Sequence, residues 1–337
     1  MALNQRQAIA QTKLMLGWRQ QEAERLDDLY AYLHGRQRHM WVSSSVPEEV
    51  KRMARMARVN VLGLVVSTLA QSCYVDGYRS PTAEQEAPAW TVWQKNRMDA
   101  RQIGVHRAMF GYGAAYTTVM PGAPVAVITG HSPRNMTTVY GEDEDWPVWA
   151  LEKRRTETVG NRQLYRLYDD QAIYYMSAND GGDVDYVETR EHGLGKVPVV
   201  HFLNQVDLDE EVVSEIDPLM VLQDQIEFTT FGLLVVQHYG AFAQKWIAGW
   251  LAESEEQYLK ATASKVWTFE DPDTKLGQFT PSPLADYIDS RADTFKVLAA
   301  IAQLPAHALR GELVNLSAEA LAAAEQTERR KVMERQT

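Results

Sequence analysis

Three stretches in the first third of the chain have apolar residues at helical spacing, with polar residues on the opposite face. They are residues 2–34, 45–75 and 98–110. Gly35 and Gly111 follow the first and third stretches as stop signals. The second stretch is predicted to form one helix that ends before the turn pair Asp76-Gly77.

From residue 114 onward the pattern changes to short runs of β-branched and aromatic residues separated by polar turns. The predicted strands are AAYTTV (114–119), VAVIT (125–129), MTTVY (136–140), VWALEKRR (148–155), RQLYRLYDD (162–170) and QAIYYMSA (171–178). Gly160-Asn161 and the segment from Asn179 to Gly182 are predicted hairpin turns. Because these strands follow a group of helices, the region is predicted to be an α+β unit.

Two long apolar segments follow this unit. Residues 219–246 contain no proline and few charges, which predicts one helix roughly 42 Å long that is apolar nearly all round. Such a helix is usually buried in a core or between subunits. Residues 283–304 predict a second helix, ended by Pro305. The two form a helical hairpin with a small mixed domain at its tip, residues 246–282.

The segment LPAHALRGELVNLSAEAL (304–321) joins this second helix to a further strong helical pattern. Pro305 and Gly311 break the helices on either side, and Ser317 is a good N-cap for the helix that follows. We therefore predict a loop over residues 305–316.

Composition and charge narrow the class of protein. The chain has 337 residues, 45% of them hydrophobic, which is typical of a folded soluble protein of roughly two domains. A single cysteine, Cys73, and the absence of a signal peptide point to a reducing cytoplasm. The net charge of −11 argues against a protein that binds nucleic acid tightly by neutralising phosphates.

Six motifs occur in an order and at spacings that resemble the portal proteins of tailed bacteriophages, in the branch that includes many siphovirus portals. They are LYAYLHGRQ (29–37), RVNVLGLVVSTLAQSCYVDGY (58–78), WQKNRMDARQIGVHRAMFGYGAAYTTV (93–119), GLGKVPVVHFLNQ (193–205), SEIDPLMVLQDQIE (214–227) and NLSAEAL (315–321). Each motif is weak alone, and the resemblance depends on their succession along essentially the whole chain.

The resemblance implies an α+β, portal-like fold with a helical and β wing, a two-helix stem, a small α/β clip and the start of a long wing helix. The implied boundaries are wing 1–213, stem helix 214–245, clip 246–282, second stem helix 283–304, tunnel loop 305–316 and long wing helix 317–337. Portals of this branch normally continue through the rest of the long helix into a crown, so the sequence is expected to be a C-terminally incomplete portal.

The resemblance also implies the function and the residues that carry it. Portals form rings, generally of twelve copies, at one capsid vertex of the virion, and they are the channel for DNA packaging and ejection. The DNA-facing residues of the tunnel loop are expected to be His307, Arg310, Gly311 and Asn315. The clip is expected to contact partners through Trp246, Trp250, Glu255 and Glu256, and the ring interface to include Leu233, Leu234, Val236 and Tyr239.

The partners implied are further copies of the chain, the major capsid and scaffolding proteins, the large terminase subunit, the head-tail adaptor and double-stranded DNA that passes without sequence specificity. The resemblance implies assembly in the host cytoplasm, with no cofactor, no metal and no membrane.

An enzyme is the less favoured interpretation. GLGK (193–196) lacks the Ser or Thr that follows the lysine of a phosphate loop. The acidic segment 207–217 is a candidate divalent-metal site through Asp207, Asp209 and Glu211, which would suit a metal-dependent hydrolase. A solvated linker before a helix is the more common use of such a segment. No residues are predicted to be catalytic.

A membrane-active oligomer, with residues 228–250 as a pore helix, is a rival from another class. Polar residues within this stretch, including Gln237 and Lys245, favour a buried helix instead. The basic run KRMARMAR (51–58) places its arginines mostly opposite Met53 and Ala57, which predicts a solvated helix face rather than a nucleic-acid site.

Overall fold

A computed structural model describes residues 3–38, 42–78, 88–142, 145–159, 162–179, 181–205, 211–240, 245–248, 275–278, 283–310 and 318–335. The chain divides into two compact units. The first comprises residues 1–38, 59–223 and 295–337, and the second comprises residues 39–58 and 224–294.

The described helices agree largely with the apolar spacing. They are α1 (Gln5–Leu33), α2 (Glu48–Met56), α3 (Val61–Ser72), α4 (Pro88–Lys95), α5 (Met98–Tyr112), α6 (Met220–Gly240), α7 (Leu284–Ala302), α8 (Ala306–Arg310) and α9 (Ala318–Arg335). A short 3-10 helix, Asp217–Leu219, leads into α6. At the start of α1, the Asn4 side chain accepts from the Gln7 backbone while the Gln7 side chain accepts from the Asn4 backbone, a complete capping box.

The strands form three antiparallel sheets. They are β1 (Ala114–Met120), β2 (Val127–His131), β3 (Met136–Tyr140), β4 (Pro147–Val159), β5 (Arg162–Tyr168), β6 (Ala172–Ala178), β7 (Val184–Glu191), β8 (Val199–Leu203), β9 (Lys245–Ala248) and β10 (Lys275–Gln278). The sheet orders are β2-β1-β8, β3-β4-β5-β6-β7 and β9-β10. The predicted turn after Asn179 is confirmed, because the Gly182 amide donates to the Asn179 carbonyl between β6 and β7. Gly160-Asn161 lies outside the described residues.

The five-stranded sheet is the middle layer of the first unit. One face is covered by α1, whose Ala8 and Met15 pack with Leu151, Tyr174 and other buried residues of β4 to β7. The opposite face packs on the three-stranded sheet through Tyr116, Met136, Tyr168 and Val199, among others. Helices α3 and α5 pack together beside β1. This layered core supports the predicted α+β class.

The prediction of one helix from about 45 to 75 is wrong, because residues 57–60 separate α2 from α3. The Asn60 side chain caps α3 by accepting from the Gly63 amide at 2.9 Å. The buried Gln223 side chain satisfies the broken backbone by donating to the Val59 carbonyl and accepting from the Val61 amide. A partner distant in the sequence thus compensates for the break.

The predicted 219–246 helix is shorter than expected. Helix α6 ends at Gly240, and Lys245–Ala248 form strand β9, which pairs with β10 at the far end of the hairpin. In the second unit, Gly232 of α6 faces Tyr287 of α7, where an added Cβ would lie 3.0 Å from the tyrosine ring. A glycine at this point lets the two long helices approach closely.

A half-buried histidine in the three-stranded sheet predicts a pH dependence of stability. Burial lowers the pKa of His201 to about 4, and its Nδ1 lies 2.8 Å from Tyr140 Oη while its ring stacks on Tyr116. An unfolded histidine has a pKa near 6.5, so the unfolded state binds the proton first as the pH falls. The free energy of unfolding should therefore decrease through this group from pH 6.5 down to about pH 4.

Between pH 7 and pH 5 the expected loss is about 2 kcal/mol, measured by urea unfolding. The His201→Phe variant retains an aromatic ring against Tyr116 and should lack this part of the decrease. An equally steep decrease in the variant would show that His201 is not responsible.

Candidate functional site

The expected ring-interface residues lie on α6, and the structure divides them. Leu233 is only 8% exposed and packs within the chain, whereas Leu234 and Val236 are half-buried. The side chain of Tyr239 lies outside the described part. The large apolar side chains that α6 exposes among the described residues are instead Val221, at 66%, and Phe228, at 56%. They are seven residues apart and therefore share one face of the helix.

Helix α7 also exposes large apolar side chains. They are Leu284, Ile288, Val297 and Ile301. The C-terminal end of α7 also has a buried face, formed by Leu298, Ala299 and Ala302, which belong to the first unit. Exposed apolar side chains at this density on two long helices are typical of a surface that contacts another protein.

The predicted loop over residues 305–316 begins with ordered structure. Residues Ala306–Arg310 form the short helix α8, which packs against α3, and Pro305 and Leu309 are buried. The prediction of a loop is therefore wrong for residues 306–310, which are helical. His307 is half-buried. The side chain of Arg310, and Gly311 and Asn315 altogether, lie outside the described residues.

Most of the predicted clip lies outside the described residues, including Trp250, Glu255 and Glu256. Trp246 is on strand β9, where the backbone alone is described. The pairing of β9 with β10 agrees with a small structured segment between the two long helices.

The C-terminal end of α7 has a well-formed cap. The Leu304 amide donates to the Ala299 carbonyl at 3.0 Å and the Gln303 amide to the Ala300 carbonyl at 3.2 Å, which is the Schellman pattern. Gln303 occupies the left-handed position of this motif with φ 57°. Glycine is the usual residue there, because a Cβ makes the conformation costly.

The Gln303→Gly variant should consequently raise the free energy of unfolding by about 0.5 kcal/mol, the relief of strain exceeding the added entropy of the unfolded chain. The Gln303 side chain is exposed, so little packing is lost. Urea unfolding measures the change, and Gln303→Val is the comparison, expected to destabilise. A less stable Gln303→Gly protein would contradict the interpretation of this cap.

A buried ion-pair cluster fastens the same end of α7, and we name it the Glu215 cluster: Glu215, Lys331, Arg335 and the Ala302 carbonyl. Lys331 Nζ lies 2.5 Å from Glu215 Oε2 and donates to the Ala302 carbonyl at 2.9 Å. Arg335 donates through Nε and Nη2 to Glu215 Oε1 at 3.2 and 3.1 Å. The three side chains are between 5% and 9% exposed. Each buried charge therefore has a partner of opposite sign.

The Glu215 cluster is also connected to the end of α5. The Glu215 amide donates to the Phe110 carbonyl at 3.0 Å, and the Ser214 hydroxyl donates to the Gly111 carbonyl at 2.9 Å. One carboxylate thus connects four parts of the chain. They are the segment that leads into α6 and the C-terminal ends of α5, α7 and α9.

Asparagines of the sequence motifs have structural roles near these helices. Asn96 donates to the Ala126 carbonyl and accepts from the Ile128 amide, which fixes the β2 segment beside α4 and α5. Asn204 donates to the Val213 carbonyl and holds the end of β8 near the start of the 3-10 helix. These side chains satisfy backbone groups that would otherwise be buried without partners.

The rival chemistries receive little support from the described residues. Within them no group of three or more His, Cys, Asp or Glu side chains is arranged to hold a metal ion. Asp207 and Asp209 lie outside the described part, and Glu211 is exposed. Cys73 is buried, and burial raises the pKa of its thiol.

Two described stretches are long and apolar enough to cross a membrane by length and composition, Glu48–Ser72 and Asp217–His238. The first contains the break between α2 and α3. Core helices of soluble proteins meet the same criteria, so this finding alone does not favour a membrane protein.

In α2, Arg52 and Arg55 are exposed and Met53 is buried, which confirms the predicted solvated face.

Sequence reasoning missed Gln223, Lys331 and Arg335. Lys331 and Arg335 are four residues apart on α9, a spacing that places both on one helical face. In sequence this resembles any charged helix surface, since Arg329 and Arg330 are nearby and exposed. Only the position of Glu215, 120 residues from Arg335, makes the pair a buried site.

Comparisons with known proteins agree with the fold. The family described as "Phage portal protein, SPP1 Gp6-like" matches residues 16–337. The portal protein of Mycobacterium phage D29 is 24% identical over 342 residues, covering 94% of this chain and 69% of the relative. That of Mycobacterium phage L5 is 24% identical over 319 residues, covering 88% of this chain and 64% of the relative. The chain thus spans about two thirds of the length of these curated relatives.

Solved structures show the same architecture. A chain of the virion of a native gene transfer agent particle matches with TM-score 0.52 at 14% identity, and a chain of the neck of an empty gene transfer agent particle with TM-score 0.54 at 15% identity. Each match covers 83% of this chain and 76% of the other. At such identities the likeness shows the fold alone. The family match, which extends over nearly the whole sequence, shows that the chain belongs to the SPP1 Gp6-like family of phage portal proteins.

Proposed function

We propose that this portal-family chain assembles into a ring of twelve copies at one capsid vertex, and that the ring is the channel for DNA packaging and ejection. The observation that carries the proposal is the set of apolar side chains exposed on α6 and α7, with Val221 and Ile288 as examples. Burying one such side chain fully contributes about 1.5–3 kcal/mol. A ring would bury these faces between neighbouring copies.

The proposed domain boundaries follow those of the portal family. Residues 1–213 form the wing, 214–245 and 283–304 the stem, 246–282 the clip, and 305–316 the tunnel loop, with 317–337 as the start of the long wing helix. In this arrangement α6 and α7 are the stem helices described above.

The net charge of −11 supports a channel through which DNA slides. DNA carries about one negative charge per 1.7 Å of axis, so an acidic ring has little tendency to hold it. The tunnel-loop residues proposed to face the duplex are His307, Arg310, Gly311 and Asn315. Arg310 is proposed to contact phosphates transiently. We assign the chain no catalytic role and no cofactor.

The clip is proposed to dock the large terminase subunit during packaging and the head-tail adaptor afterwards, through Trp246, Trp250, Glu255 and Glu256. Large aromatic side chains commonly anchor protein interfaces. The major capsid and scaffolding proteins are the proposed partners during assembly, which takes place in the host cytoplasm.

Purification without detergent, followed by negative-stain imaging, tests the ring directly. Soluble rings with a central channel are expected. A protein that leaves the membrane fraction only with detergent would instead support the rival in which residues 228–250 form a pore helix.

The amount of DNA packaged per capsid then tests the channel. The His307→Ala and Arg310→Ala variants are expected to form normal numbers of rings but to package or retain less DNA.

A further inference from the structure

We infer that Lys331 and Arg335, held by Glu215, are positioning residues for the segment between α7 and α9. The inference rests on the proposed function of that segment as the tunnel loop. It assigns the Glu215 cluster the task of fixing the end of α7, where this segment begins, to α9 and to the end of α5.

The segment that carries Glu215 is held by the end of α5. Ser214 and Glu215 are bonded through a hydroxyl and an amide to carbonyls at the end of α5. Helix α5 itself packs on β1 and α3 within the layered core. The carboxylate of Glu215 is therefore presented by a segment that is anchored independently of α7 and α9.

Lys331 joins Glu215 to the end of α7. Its ammonium group contacts Glu215 Oε2 and the Ala302 carbonyl together. Ala302 is the last residue of α7, and its carbonyl is one of those that a helix end leaves without an intrahelical partner. A slide of α7 by one residue, about 1.5 Å along the axis, would break this hydrogen bond. Lys331 thus fixes the register of α7 relative to α9.

Lys331 lies near the C-terminal end of α9, far from the start of that helix. Thirteen residues separate it from Ala318, the start of the helix, which corresponds to about 20 Å. The chain therefore leaves the Glu215 cluster at Ala302 and returns to it only along the length of α9. Displacement of the intervening segment would therefore act directly on the end of α7, which the cluster holds, and on the start of α9, which lies about 20 Å along that helix from the cluster.

The test begins with Lys331→Met, measured by hydrogen exchange on the purified chain. The reporters are the Gln303 and Leu304 amides, which form the cap of α7. Losing a charged donor to this helix end should accelerate their exchange about tenfold while amides of β5 and β6 remain protected. Unchanged exchange at both reporters would overturn the inference.

The matched control is Arg329→Met on the same helix. The Arg329 side chain is 70% exposed and pairs with Glu325 at 3.1 Å. This variant should leave the exchange of Gln303 and Leu304 unchanged. An equal acceleration in the control would show that charge on α9 in general, not the Glu215 cluster, protects the cap, and would also overturn the inference.

Removing one partner of a buried charge cluster can unfold a protein, so a second variant is needed. Replacing Glu215, Lys331 and Arg335 together with methionine leaves no uncompensated charge and commonly preserves folding. We expect this triple variant to form rings in normal number but to package or retain less DNA per capsid. Normal DNA content in normal rings would show that the cluster stabilises the fold without positioning the loop.

Failure of the proposed function and failure of the positioning role would give different experimental results. The exchange experiment reports on the cap of α7 in the purified protein and does not depend on whether a ring conducts DNA. If unaltered chains form no ring, the proposed function fails while the exchange result stands. If rings package DNA normally in every variant, the proposed function stands and the positioning role of Glu215, Lys331 and Arg335 fails.

Discussion

The Val221→Asp variant is expected to yield single chains in place of rings. Val221 is 66% exposed on α6, so the proposed neighbouring copy would bury most of its surface. Losing that burial costs about 2 kcal/mol per interface, or roughly thirtyfold in affinity, before the cost of burying an unpaired carboxylate is added. Around a closed ring these losses accumulate.

The variant should not harm the chain itself. Position 221 is the second residue of α6, where an aspartate interacts favourably with the helix dipole. Leu233→Asp is a poorer test, since Leu233 is buried within the chain and its replacement would destabilise the fold as well.

Val187→Asp is the matched control, because Val187 is 55% exposed but lies on strand β7. Mass photometry should detect rings in this control and single chains in Val221→Asp, and far-UV circular dichroism should show the same helix content in both. Intact rings in Val221→Asp would rule out this face of α6 as the subunit contact.

The second large effect is expected at Gly113, where alanine should lower the free energy of unfolding by about 3 kcal/mol. Gly113 ends α5 with φ 87°, a conformation that costs about 1–2 kcal/mol for a residue with a Cβ. An added Cβ would also lie 2.8 Å from the carbonyl carbon and oxygen of Val213, and 2.8 Å from Val212 Cγ1. Because two of these atoms are backbone, relief requires a shift of the segment that leads to Glu215.

Gly182→Ala separates the two contributions. Gly182 has φ 82° in the turn between β6 and β7, but no atom lies within 4 Å of the position that an alanine methyl group would occupy. Only the conformational cost of about 1–2 kcal/mol applies there. Urea unfolding of both variants measures the difference. Equal losses would mean that the close approach of residues 212 and 213 to α5 contributes nothing to stability.

Local pattern accounts for most of the elements. The helical spacing of α1, the glycine-containing stop at the end of α5 and the β-branched and aromatic runs of β4 to β6 act within a few residues, so periodicity and stop signals predict them. The break between α2 and α3 escaped prediction because the side chain that supports it, Gln223, is 162 residues from Val61. The apolar spacing on either side of the break is equally good for one helix or two.

The site shows the same division. The sequence by itself determined that two long apolar helices flank a small segment, that a break follows the second helix, and, through its motifs, which family the chain resembles. It determined these because helix periodicity, caps and motif order are properties of neighbouring residues.

The tertiary structure alone decided which apolar residues of α6 are buried within the chain, such as Leu233, and which stay exposed, such as Val221. It also decided that Lys331 and Arg335, among several similar charges on α9, meet Glu215 in the interior. The physical reason is that burial and ion pairing depend on which distant segments the fold brings together, and every exposed or buried lysine has the same appearance in a sequence.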